Sequence, residues 1–298
     1  TRPPLLEVRD LSLSFHLQEQ IAVDRVSLSI RHGSTLGLVG ASGAGKSSVA
    51  RAILQLTKPD SGEILFKGKN IFRMNPLELK ASRQRIQLVF QDPSASLSPR
   101  RTVEQTLLEP LQHFAIGDAK FRRKKLMQIL DTVGLDQRAL KRYPHQFSSG
   151  QQQRIAIARA LITDPELLIA DEAVSSLDVS IQAQILQLIQ MLQKDLGITF
   201  LFISHDLAVI RQIADDVAVM YQGQLMELSS ADRFFSEPAH PYSRALLSFA
   251  QGKTNMNAAG DKRYLERSRR KNRNSSACLF STFCPDKVQI CDRTEPAM

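Results

Sequence analysis

No stretch of this sequence approaches the roughly 20 consecutive apolar residues that a membrane-spanning helix needs, so the chain is expected not to cross a bilayer itself. Cysteine is scarce. Three residues cannot all pair internally, and a reducing, cytosolic compartment fits that number best. The first residues, Thr1-Arg2-Pro3-Pro4, lack the basic, apolar and small-residue order of a secretory leader. No internal repeat is visible. Against these gaps stand 43% hydrophobic and 23% charged residues in a chain of 298, the proportions of a soluble globular protein with length for roughly two domains. A chain disordered throughout is excluded.

The formal charge is +9, from 39 basic and 30 acidic side chains. Most of the excess is local. Residues 262–273 (KRYLERSRRKNR) hold seven basic side chains against one acidic, a net +6 in twelve residues. Such a run reads either as a solvated tail or as a surface for an anionic partner such as lipid headgroups or nucleic acid, and both readings stay open.

Residues 5–30 read as short alternating strands, with Val8, Leu11, Leu13 and Phe15 near period two, and predict an antiparallel sheet. A compact apolar run at 36–39 then enters a glycine-rich loop, followed by a helical pattern over 47–56. Further strand-length apolar runs at 86–90, 167–170, 199–203 and 217–220, separated by helix-like segments, predict a parallel α/β sheet. The clearest helix is 181–196, where Ile181, Ile185, Leu188, Ile189, Leu192 and Leu196 form an apolar stripe for the core. About eighty residues between the runs at 86–90 and 167–170 have helical composition and predict a helical subdomain at about 95–160. After about residue 250 the composition turns to Asn, Ser, Lys and Arg without periodicity. The expected division is a main domain over 1–250 and, over 251–298, a basic linker with a cysteine-containing extension.

Gly40-Ala41-Ser42-Gly43-Ala44-Gly45-Lys46-Ser47 fits G-x-x-x-x-G-K-[ST] in full, between a predicted strand and a predicted helix. Glycines let the backbone wrap phosphate oxygens with successive N–H groups, Ser48 included. Lys46 can reach β and γ phosphates, and the Ser47 hydroxyl can ligate Mg²⁺. Some 125 residues later, Leu167-Leu168-Ile169-Ala170-Asp171-Glu172 is an apolar strand that ends in two carboxylates. In a phosphate-loop protein the first, Asp171, holds hydrated Mg²⁺, and the second, Glu172, can accept a proton from the attacking water. Nucleotide hydrolysis assisted by Mg²⁺ is the chemistry expected.

Phe147-Ser148-Ser149-Gly150-Gln151, followed by Gln153-Arg154, resembles the L-S-G-G-Q signature of ABC ATPases, with Phe for Leu and Ser149 for the first Gly. Gln91 after Val89-Phe90 resembles the Q-loop and Ser175-Ser176-Leu177-Asp178 the D-loop. Ser204-His205-Asp206 resembles the switch-histidine loop, and Phe15 stands where an adenine-stacking aromatic belongs. These features come in the family's order over residues 5–230. The resemblance implies an α/β fold, a P-loop NTPase core with an antiparallel β subdomain and a helical signature subdomain. It also implies a head-to-tail dimer in which Ser148, Ser149, Gly150, Gln151 and Asp178 of one subunit close over nucleotide on the other. Gln91 then senses metal and water, and His205 holds the γ-phosphate. Ser149 adds a Cβ where the family has glycine, so a looser closed site is an expectation to test. Ala173-Val174 replace the Pro-Thr common after the paired carboxylates.

Phe90-Gln91-Asp92-Pro93, Ser96-Leu97-Ser98-Pro99-Arg100, Tyr143-Pro144-His145, Asp178-Val179-Ser180 and above all His240-Pro241-Tyr242-Ser243-Arg244-Ala245-Leu246-Leu247 resemble the dipeptide, oligopeptide and nickel importer branch. That resemblance implies a peripheral subunit at the cytoplasmic face of the inner membrane. Its partners would be a second related ATPase subunit, two membrane-spanning permeases and, indirectly, a substrate-binding protein, with no nucleic acid. Peptides are the first choice of cargo; nickel or a metal chelate is second. A soluble DNA-handling ATPase and a translation-associated protein of the same superfamily are the other classes weighed. The first usually has a long coiled coil or zinc insertion between phosphate loop and signature, and the second carries two ATPase modules. Cys278, Cys284 and Cys291 match the branch's cysteine pattern, in some members of which an iron–sulfur cluster occurs. Only three thiolates are present where four ligands are usual, so a vestigial site, a site completed by another ligand, and free thiols all stay open.

Overall fold

The computed structural model describes residues 3–15, 20–251 and 277–294. They fall in two compact units, Thr1–Arg73 with Phe202–Met298, and Met74–Leu201. The basic run at 262–273 and the linker around it lie outside the described residues.

The first unit begins with β1 (Leu6–Phe15), β2 (Gln20–Ile30), β3 (Thr35–Val39), α1 (Lys46–Ile53), β4 (Ser61–Phe66) and β5 (Lys69–Asn70). An antiparallel sheet in the order β2-β1-β4-β5 carries the alternation read from the sequence. The three-residue step from Val8 to Leu11 breaks period two, and the register shifts there, where Asp10 has φ 45°. The extra residue is a bulge that returns Leu11 and Leu13 to the buried face. Helix α1 stops at Ile53, short of the expected 56. Gln55 takes φ 58°, and Leu56 is left exposed.

The second unit contains α2 (Pro76–Arg85), β6 (Ile86–Val89), α3 (Pro93–Ser96), α4 (Val103–His113), α5 (Ala119–Val133), α6 (Ser149–Leu161), β7 (Leu167–Asp171), α7 (Val179–Leu196) and β8 (Thr199–Ile203), whose last residues return the chain to the first unit. Side-chain oxygens of Asn75, Thr102, Asp118, Ser148 and Asp178 cap five of these helices, satisfying N–H groups that lack intrahelical partners. Strands β6 and β7 pair in parallel from Ile86↔Leu167 to Val89↔Ala170. On α7 the stripe is buried at Ile185, Leu188, Ile189 and Leu192. Leu196, expected in the core, is 59% exposed, because Gly197 in the left-handed region ends the helix one residue later.

Back in the first unit follow α8 (Leu207–Ile213), β9 (Asp216–Tyr221), β10 (Gln224–Ser230), α9 (Ala231–Ser236) and α10 (Pro241–Ala250). β9 runs parallel to β3, with β10 antiparallel on its other side. All five residues of β3 are buried, as its unbroken apolar run requires of a covered parallel strand. The His-Pro-Tyr sequence is a helix start. His240 Nδ1 accepts the Tyr242 N–H at 3.0 Å, Pro241 opens α10, and Tyr242 is fully buried. Burial keeps His240 below the ordinary histidine range, in the neutral form that an accepting Nδ1 needs. Burial also opposes ionisation of Glu227, but the hydrogen bonds it accepts, including the N–H groups of Ala239 and His240 at 3.0 Å each, hold it below the usual carboxylate range. Among the described residues no helix is long and apolar enough to cross a membrane.

Candidate functional site

In the first unit, β3 delivers the chain to the glycine-rich loop. Two of its glycines answer to contact with neighbouring backbone. A Cβ on Gly40 (φ 147°) would lie 2.2 Å from the Met220 carbonyl oxygen, and one on Gly45 (φ 104°) would lie 2.3 Å from that of Ala22. The loop is therefore pressed between β9 and β2, in backbone conformations that side chains resist. Lys46 is buried, and its Nζ donates to the carbonyls of Gly40 (2.7 Å) and Ala41 (2.9 Å). The ammonium thus sits within the curl of the loop. Gly45 is the N-cap of α1 and offers no side-chain cap, so the amino end of the helix, carrying Lys46, Ser47 and Ser48, presents its positive pole to an anion. Ser42 and Gly43 are exposed, Ala41, Ser47 and Ser48 half-buried and Ala44 buried. This is a cradle for phosphate oxygens.

The same unit holds two other candidates. His205 lies exposed in the turn after β8, anchored where the Ser204 N–H donates to Leu38 O at 3.3 Å. Asp206 then caps α8 through the Ala208 N–H at 2.8 Å. Phe15 ends β1 opposite Gln20, half-buried. The loop also has a partner that the sequence reading missed. The Ala41 N–H donates to the Tyr242 hydroxyl at 3.4 Å, from a residue singled out only as part of a branch pattern. No spacing rule joins positions 201 residues apart.

In the second unit, β7 ends at Asp171, and Glu172 follows at φ 51°. A glutamate in the left-handed region costs about 1–2 kcal/mol, offset here by the Ser175 N–H and hydroxyl, which donate to the Glu172 carbonyl at 3.1 and 2.9 Å. The residue displaying the second carboxylate is thus one of the positions where the backbone is strained. Gln91 is exposed after β6, and its carbonyl accepts from Ser176 Oγ at 3.4 Å, so the two loop candidates touch. Asp178 accepts the Ile181 N–H at 3.0 Å and the Ser180 hydroxyl at 2.8 Å, which hold it below the usual carboxylate range.

The signature segment is a helix start. Ser148 Oγ accepts the Gln151 N–H while Gln151 Oε1 accepts the Ser148 N–H, a reciprocal capping box. Ser149 is the first residue of α6 and does not have positive φ, so the conformational reason for glycine there is absent. The position that needs glycine is the next one. A Cβ on Gly150 would meet Ile181 Cγ2 on α7 at 2.4 Å. Ser149→Gly should accordingly leave ATPase activity within about twofold. Gly150→Val should cost about 1–3 kcal/mol by overpacking and lower the melting temperature measured by calorimetry.

The sequence matches the ABC transporter family over residues 23–175 and the C-terminal region of the oligopeptide/dipeptide transporters over 226–291. The chain belongs to the ABC transporter family. It is 43% identical to the oligopeptide transport ATP-binding protein AppF of Bacillus subtilis, over 98% of this chain and 92% of that protein. It is 42% identical to a putative peptide import ATP-binding protein of Brucella ovis over 100% and 95%. Its fold matches cbiO1 of Clostridium perfringens, part of the ABC transporter complex cbiONQ, with a TM-score of 0.72 and 28% identity over 79% of this chain and 92% of that one. It also matches the dimeric post-hydrolysis state of the ATP-binding cassette MJ0796 bound to ADP and Pi, with a TM-score of 0.68 and 29% identity over 76% and 98%. This ABC protein is an ATPase, with ATP and Mg²⁺ as ligands.

The phosphate-loop cradle fits those ligands; the cysteines do not fit a cluster. Cys278, Cys284 and Cys291 are free thiols, and no group of three or more His, Cys, Asp or Glu among the described residues is placed to hold a metal ion. Burial pushes the Cys278 thiol up, which opposes the thiolate form that metals bind.

Proposed function

We propose that this chain is the ATP-hydrolysing subunit of an importer of di- or oligopeptides, working at the cytoplasmic face of the plasma membrane. It pairs head to tail with a second, related ATPase subunit beneath two membrane-spanning permeases, and a separate binding protein supplies the cargo. The observation that carries the reading is the match of residues 226–291 to the oligopeptide/dipeptide transporter C-terminal region, beside relatives of that kind aligned over nearly the whole chain. The domain division at 250, the helical insert at about 95–160 and the residue roles that follow belong to the same proposal.

In the first unit, Lys46 and the amides of residues 40–48 grip the phosphates, Phe15 stacks on the base, and His205 fixes the γ-phosphate and the attacking water. The Ser47 hydroxyl is that unit's Mg²⁺ ligand; in the second unit the Mg²⁺ ligands are Asp171 and Gln91, and Glu172 takes the proton from the water. Magnesium supplies neutralisation of the phosphate charge as the bond to the γ-phosphate breaks. Ser148, Gly150 and Gln151, with Ser149 between them, donate to nucleotide held by the partner subunit, and Asp178 lines that interface. Loss of the γ-phosphate removes those contacts and opens the dimer, which is the mechanical output. The three cysteines serve as free thiols in this reading, with no iron–sulfur cluster.

The test is a tagged pull-down of the chain from detergent-solubilised membranes of its own host, followed by ATPase assay and uptake in proteoliposomes. Recovery of two permeases and a second ATPase, with peptide-stimulated hydrolysis, is the expected result. Uptake of nickel and not of peptide would move the chain to the metal-importing side of the branch. Recovery of nucleic acid without a membrane partner would overturn the importer reading.

A further inference from the structure

The C-terminal segment returns to the phosphate loop through a cluster of aromatic rings. Phe280, 1% exposed, comes from the cysteine-containing segment, where the Cys278 N–H donates to the Cys291 carbonyl at 2.9 Å and closes a short turn-rich piece on itself. Its ring meets Tyr242 with centroids 5.5 Å apart and Tyr221 at 5.8 Å, both edge-on, and it lies 6.1 Å from His240. Tyr242 and Tyr221 are themselves 4.6 Å apart. Edge-on pairs of this spacing are favourable, and three such rings fix one another's tilt.

The ring held in that cluster carries the hydroxyl that accepts the Ala41 N–H. Tyr221 lies beside Met220, whose carbonyl oxygen approaches Gly40 closely enough to exclude any Cβ there. Two successive residues at the head of the phosphate loop are thus seated by β9 and by Tyr242. Both of their carbonyls accept from Lys46 Nζ. A shift of Ala41 therefore moves the acceptors that place the ammonium.

We propose that Tyr242 is a positioning residue for nucleotide binding, holding the Ala41 end of the phosphate loop, and that Phe280 of the C-terminal segment sets it in place. The segment thereby acts on the ATP site from outside it. The inference rests on the reading of residues 40–48 as the ATP cradle.

Tyr242→Phe keeps the ring and removes the acceptor. With the full-length chain and Mg·ATP as the titrant in calorimetry, the expected result is a three- to tenfold weaker Kd, about 0.7–1.4 kcal/mol at 1.4 kcal/mol per tenfold step, which lies within the range for one hydrogen bond. The KM for ATP should rise in parallel, with kcat changed by less than about twofold. Amide exchange of the peptide covering the loop should quicken, while that of α1 stays unchanged. Phe280→Ala should reproduce the weaker Kd, and Phe280→Tyr should restore it. An unchanged Kd and unchanged loop exchange in Tyr242→Phe would overturn the proposal, even if Phe280→Ala lowered the melting temperature. Should Phe280→Ala fail to fold, Tyr242→Phe alone decides. Failure of the native chain to bind Mg·ATP would instead sink the reading of the loop, so the two failures are distinguishable.

Discussion

Replacing Glu172 by glutamine is expected to leave ATP binding within about threefold and to reduce turnover by about 10²–10⁴-fold, the range lost with a positioned general base. The substitution preserves size and hydrogen-bonding reach and removes the ability to take a proton. The backbone makes the experiment sharper. Glu172 stands at φ 51°, one residue after β7, with its carbonyl held by Ser175, so glutamine must occupy the same strained position and present its amide where the carboxylate stood. Glu172→Gly separates the two properties. It relieves the backbone cost of about 1–2 kcal/mol and still lacks the base, so it should be inactive without being less stable. Single-turnover hydrolysis of radiolabelled ATP by the complex, with binding measured separately, checks both variants. Normal turnover by the glutamine variant would assign the proton to another acceptor.

The parts of this molecule governed by short-range rules were legible in the sequence. Strand periodicity gave β1 and β2, the continuous apolar runs marked β3, β7 and β8 as covered strands, and the phosphate loop showed itself by its glycine and lysine spacing. Boundaries slipped where a single backbone conformation decided them, as at Gln55 after α1 and at Gly197, which strands Leu196 in solvent. The glycine demand in the signature segment was illegible for a different reason. Sequence comparison with a motif cannot tell which of two adjacent glycines answers to backbone conformation and which to a neighbour, and only the 2.4 Å approach of Ile181 assigns the demand to Gly150. Tyr242 was legible as a pattern and illegible as chemistry, since its partner Ala41 is brought to it by the pairing of β9 with β3.

Lys46→Ala is the other substitution with a large expected effect, and it acts on binding where Glu172→Gln acts on turnover. The Lys46 ammonium is buried and donates to two loop carbonyls. It is therefore held in place before any ligand arrives. Hydrogen bonds from a charged group are worth about 1.5–3 kcal/mol each, and loss of two such bonds to phosphate oxygens lowers ATP affinity by roughly 10²–10⁴-fold, each tenfold step being about 1.4 kcal/mol. Lys46→Arg tells charge from shape. A guanidinium keeps the charge, but its planar fork does not fit a space closed by the Gly40 and Ala41 carbonyls, so arginine should rescue little. Calorimetric titration with Mg·ATP, alongside a melting curve that shows the variants folded, makes the measurement. Native affinity in folded Lys46→Ala would mean that residues 40–48 do not hold the phosphates. Native affinity in Lys46→Arg alone would mean that charge suffices and that the seating of the ammonium by the loop carbonyls has no part in binding.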